Sequence, residues 1–197
     1  TDLFFEHRDG PEQFSMERWH QNRGYMSGTP APHTLGLTRS PRGDLPLELF
    51  GGKEYGRGAA ILHQLRLELG DDVFRKGIQR YVREYEDAAV TSEDFRQAME
   101  REAGTDLKWF FDQWVYGAGY PALNVKYEFI ENYALTEAEE HHPTVRMTIE
   151  QTQPAGGGQT DTFRITIPVR IGVAPPGADA SEVFRLAVRR RRQVIDV

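Results

Sequence analysis

Apolar residues recur at helical spacing through the first part of the chain and alternate from Leu123 onward. Ile61, Leu62, Leu65 and Leu69 define one face of a helix, and Gly70, which accepts a left-handed conformation, ends it. Phe74, Ile78, Tyr81, Val82 and Tyr85 form the buried stripe of a second helix, capped by Asp71 and Asp72. Thr91, with Asp94 three residues later, opens a third as a capping box; Phe95, Ala98 and Met99 face inward and Gly104 closes it. Asp106 caps a last short helix, Leu107 to Trp114, whose crowding of Trp109, Phe110, Phe111 and Trp114 suits a core. Upstream, residues 2–8 read as helix ending at Asp9-Gly10, and Pro11 suits the first turn of another that runs to about Arg23. Residues 24–47, rich in Gly, Pro, Ser and Thr, read as a long ordered loop, a kind of connection that is often functional.

From Leu123 the period becomes two. Leu123, Val125, Tyr127 and Phe129 fall on one side of a strand, with Asn124, Lys126 and Glu128 on its wet side. Further strands are predicted at 145–153, 162–173 and 183–188, separated by turns rich in Gly and Pro. Helices followed by strands, with little mixing, imply an α+β fold in two units, 1–118 helical and 119–197 stranded, with the boundary at Gly117-Ala118-Gly119-Tyr120-Pro121. The first residues read as the tail of a helix already under way, and the last strands lack a closing turn. The expectation is a piece of a longer protein.

One stretch departs from ordinary helix chemistry. Tyr55-Gly56-Arg57-Gly58 opens the first strong helix with two glycines, each costing about 1 kcal/mol against alanine. A helix that accepts that cost usually needs its backbone close to another helix or a ligand. Tyr55 stands at this end with a phenol able to donate a hydrogen bond. Arg57 reads as a surface residue of the helix, although contact with a substrate is the alternative.

Composition narrows the partners. The 197 residues are 39% hydrophobic, enough for a packed core, and the net charge of −6 argues against nucleic acid. With no cysteine there is neither a disulfide nor cysteine-ligated zinc, and the compartment stays open. No apolar run approaches the roughly 20 residues of a membrane helix. The histidines are His7, His20, His33, His63, His141 and His142, and no two are four apart. Glu139-Glu140-His141-His142 reads as a solvated linker, because adjacent histidines point apart in a strand. Arg189 to Arg192 reads as a solvated or truncated edge, and Gln151-Thr152-Gln153 as sheet surface.

Over about residues 45–130 the chain resembles the gluzincin aminopeptidases (peptidase family M-one), the family of membrane alanyl aminopeptidase and the leukotriene hydrolase. The ordered series carrying the resemblance is Tyr55-Gly56-Arg57-Gly58, Leu69-Gly70-Asp71-Asp72-x-Phe74, Tyr81, Thr91-x-x-Asp94-Phe95, Gly104-x-Asp106-Leu107-x-x-Phe110-Phe111-x-x-Trp114 and Gly119-Tyr120-Pro121. The resemblance implies that Tyr55 stabilises the oxyanion formed when a peptide bond is attacked. It also implies the helical second half of a gluzincin-type catalytic domain, followed by an antiparallel β-sandwich. The family's His-Glu-x-x-His zinc motif and its Gly-x-Met-Glu-Asn stretch are absent. Both normally lie upstream of the matched part. Zinc and the peptide substrate are therefore expected in a full-length parent, completed by an upstream zinc-bearing half, and no metal is expected on this chain. The alternative is a non-catalytic binding or scaffolding module of the same fold, with Tyr55 merely structural.

Overall fold

The computed structural model describes residues 6–10, 13–16, 20, 52–130, 144–154, 160–172 and 181–197. The expected loop at 24–47 and the Glu139–His142 segment lie outside the described residues. The chain divides into two compact units, Thr1–Gly119 and Tyr120–Val197, and its content is α+β.

Over the described residues 52–111, helices α1 (Gly52–Leu69), α2 (Asp71–Glu84), α3 (Ser92–Ala103) and α4 (Lys108–Phe111) follow one another. Helix α4 runs straight into a π-helical turn, Asp112–Tyr116. Residues 6–10 and 13–16 are also helical. Gly70 separates α1 from α2 at φ 81° and ψ 161°, a region almost closed to other residues. Asp71 and Asp72 do not cap α2 as expected; they lie inside its first turn, where their charge suits the positive end of the helix. The capping box forms as read, Thr91 and Asp94 bonding reciprocally, and Gly104 ends α3 in the left-handed conformation at φ 63°.

Rings join the three helices after α1. Tyr81 meets Phe95 edge-on at 5.1 Å, Phe95 lies 6.1 Å from Phe111, and Phe110 lies 6.3 Å from Trp114. Ala98, Met99 and Phe110 are fully buried. The apolar faces are narrower than the sequence pattern suggested, because Leu62 and Val82 are exposed. Ion pairs close the outer faces. Arg80 bonds Glu84 and Glu102, and Arg96 bonds Glu93 and Glu100. Glu100 also accepts from the Leu107 N–H at 2.7 Å, which ties the end of α3 to the start of α4.

Among the described residues the second unit holds five strands: β1 (Leu123–Ile130), β2 (Thr144–Gln151), β3 (Ile165–Gly172), β4 (Ser181–Val188) and β5 (Arg192–Asp196). They form an antiparallel sheet in the order β1-β2-β5 and an antiparallel pair β3-β4. Val145, Met147 and Ile149 are buried on one face of β2. Their cross-strand partners Phe129, Tyr127 and Val125 on β1 are exposed. The single wet face read for β1 is therefore a correction: as an edge strand it is open on both faces. Pro168 sits inside β3, which a two-stranded sheet tolerates because its outer edge needs no N–H.

Two readings of the stranded region change. Gln151 and Gln153 are buried at 1% and 2% exposure, not on the sheet surface. Gln151 exchanges hydrogen bonds of 2.8 Å with both the N–H and the C=O of Phe163, so its amide pairs with that backbone as a neighbouring strand would. Gln153 donates to Gln151 Oε1 and to the Asp161 carbonyl, and accepts from the Ala122 N–H. The arginine run leads through a turn into a fifth strand, with Arg190, Arg191 and Arg192 exposed as the solvated reading had it. Arg189 donates to the Ile165 carbonyl at 2.8 Å, and Arg191 donates to the carbonyls of Gln153 and Asp161.

Candidate active site element: the start of α1

Tyr55 is the fourth residue of α1. Its helical backbone is described; its ring lies outside the described residues. The helix start is weak on its own terms. The first four N–H groups of any helix lack an intrahelical partner, and Gly56 and Gly58 add backbone freedom. At Gly58 an added Cβ would meet nothing within 4 Å among the described residues, so the close approach inferred from that glycine is not found there.

Arg57 overturns its surface reading. It is 6% exposed, and its Nη2 donates to the Trp114 carbonyl at 3.1 Å and to the Gly117 carbonyl at 2.7 Å. Both acceptors lie at the end of the π-helical turn. The last carbonyls of a helix are short of partners and carry the negative end of its dipole, so a buried guanidinium is well placed there. The geometry also fixes a glycine. A Cβ at Gly117 would stand 2.4 Å from the Gln113 carbonyl oxygen and 2.9 Å from that of Asp112. Only a residue without a side chain lets the turn close on these oxygens and aim the Gly117 carbonyl at Arg57. A second cation lies further along α1. Arg66 holds Asp71 through bonds of 2.8 and 3.0 Å and also bonds Glu6, which ties the helical residues 6–10 to the α1–α2 corner.

Among the described residues no three His, Asp or Glu side chains gather as a metal site. His63 packs edge-on against Phe14 at 5.4 Å. The described donors do not make up a zinc site.

The fold and the motif define a class. The profile described as the Peptidase family M1 domain matches residues 4–114, more than half of the chain. The chain belongs to peptidase family M1, whose aminopeptidases are zinc enzymes. Aminopeptidase N of Haemophilus influenzae is 31% identical over 119 residues, 60% of this chain and 12% of that protein. Probable aminopeptidase 2 of Sulfurisphaera tokodaii is 37% identical over 78 residues, 40% of this chain and 10% of that protein. The crystal structure of Legionella pneumophila aminopeptidase A in complex with aspartic acid superposes with a TM-score of 0.55 at 21% identity, over 76% of this chain and 16% of that one. The chain thus spans about a tenth of the length of the curated relatives it matches.

Proposed function

We propose that this chain is the distal part of a zinc aminopeptidase that removes N-terminal residues from peptides, and that Tyr55 is its contribution to the chemistry. In this reading 1–118 is the helical second half of the catalytic domain and 119–197 a β-sandwich. The metal donors belong to residues outside this sequence, so the isolated chain has no peptidase activity. The observation that carries the reading is the Tyr55-Gly56-Arg57-Gly58 motif at the start of α1, within the stretch matched to the peptidase domain. When water adds to a peptide carbonyl, negative charge gathers on its oxygen. A phenol O–H held at that point lowers the barrier more than it tightens substrate binding.

The test is Tyr55→Phe in the full-length protein. Loss of one oxyanion donor is worth about 3 kcal/mol, so kcat should fall about 100-fold with KM little changed. A turnover within a few-fold of the parent would remove Tyr55 from the chemistry and leave the fold as a binding platform.

A further inference from the structure

We infer that Arg57 is a positioning residue for the oxyanion donor, acting by locking the weak start of α1 to the end of the π-helical turn. The inference rests on the reading of Tyr55 given above. The two positions are two residues apart, about 3 Å along the helix axis and about 200° around it. Arg57 therefore anchors its helix from a direction other than that of Tyr55. The anchor sits where the helix most needs one. Glycines flank it on both sides, and it follows directly on a first turn whose N–H groups have no intrahelical hold. Arg57 reaches 57 and 60 residues along the chain to two carbonyls, and its guanidinium is buried there. Sliding or rotating the helix at Arg57 would break two bonds made by a buried guanidinium, a loss proteins strongly resist. A donor to a developing oxyanion tolerates little displacement: an error of about 1 Å costs on the order of 100-fold in rate. Both bonds leave the same Nη2, and their acceptors on two residues fix the depth and the rotation of the helix at Arg57. A lysine at this position would hold the charge on a more flexible stem, without the planar, pre-organised guanidinium.

The experiment is a double-mutant cycle in the full-length protein, with Arg57→Met and Arg57→Lys each placed in the parent and in a Tyr55→Phe background. Substrates are the p-nitroanilides of alanine, leucine and glutamate. Zinc content and unfolding temperature are measured on every variant, and turnover is read well below unfolding. In the parent background Arg57→Met should lower kcat at least about 10-fold with KM within about three-fold, and Arg57→Lys should fall between. In the Tyr55→Phe background neither substitution should lower kcat further, because the group they position is gone. Equal losses in both backgrounds would overturn the inference, since they would show a general structural effect. A parent-like kcat in Arg57→Met would also overturn it. If Arg57→Met does not fold, the cycle with Arg57→Lys decides by the same criterion. If Tyr55→Phe alone leaves kcat intact, the functional reading of Tyr55 fails, and the Arg57 inference falls with it.

Discussion

Replacing Gln151 by leucine tests how the two sheets of the second unit are joined. The substitution preserves volume but takes the Gln151 amide away from the Phe163 N–H and C=O. Phe163 and Gln151 are 0% and 1% exposed, so water cannot take over. Two bonds of 2.8 Å to the Phe163 peptide groups are lost, along with longer ones from Gln153 Nε2 and to the Arg190 carbonyl. At about 1–3 kcal/mol for each of the two buried Phe163 groups, the loss is at least about 2–6 kcal/mol. That is a large share of the 5–15 kcal/mol that holds a typical domain together. A second substitution sharpens the argument. Gln151→Glu keeps an acceptor for the Phe163 N–H but, when ionised, has no donor for its carbonyl. Protonated, it has both. Burial raises the folded pKa of such a carboxyl above its unfolded value of about 4.3. The Glu variant should therefore be most stable relative to the parent below that value, and should lose this advantage as pH rises through the folded pKa. All three tryptophans precede Gly119, so their fluorescence reports the helical unit. Hydrogen exchange at the β2 amides, measured from pH 4 to pH 8 with rates corrected for pH, is the appropriate assay. A loss below about 1 kcal/mol in Gln151→Leu, or a Glu variant whose deficit is flat with pH, would refute the account.

Two further outcomes follow from the helical unit. Gly117→Ala forces a Cβ against the backbone oxygens of Gln113 and Asp112, neither of which can swing away as a side chain could. It should lower stability by about 1–3 kcal/mol, read by thermal unfolding of Trp109 and Trp114 fluorescence, and an unchanged midpoint would contradict the close approach. The bond from Arg96, and next that from Gln97, hold the Glu93 carboxyl down at about 2 from its ordinary 4.5. Its stabilisation of the start of α3 is thus present above about pH 4.5 and lost as pH falls toward 2. Glu93→Gln should flatten that part of an acid titration followed by helical circular dichroism; an identical acid limb in the variant would count against it.

Local chemistry was the legible part of this sequence. Thr91, Asp94 and Gly104 mark helix ends by bonds to near neighbours, and the structure places the α3 boundaries where those residues put them. The switch from helical spacing to alternation at Leu123 likewise coincides with the first residue of β1. What resisted reading were side chains whose partners are distant in sequence. Gln151 looks like a polar strand terminus until residue 163 is brought beside it. The run from Arg189 to Arg192 looks like a charged end because its turn is held by carbonyls at 153, 161 and 165. The π-helical turn leaves no mark in the apolar spacing of Phe110, Phe111 and Trp114, since it changes backbone pairing without changing which residues are buried.

Arg57 shows why a motif cannot be divided into one functional residue and its spacers. By hydropathy an arginine between two glycines near a helix start belongs in water. Its burial follows from the far end of the unit, where a helix that widens into a π turn finishes with carbonyls facing inward. Those carbonyls need donors, and the start of α1 needs a hold that its glycines do not provide. One guanidinium meets both needs. Gly117 is the counterpart that lets the acceptors come close enough. Arg57, Trp114 and Gly117 therefore form a physical unit spread over sixty positions, and under the proposed function a change at the last of them should be felt at Tyr55.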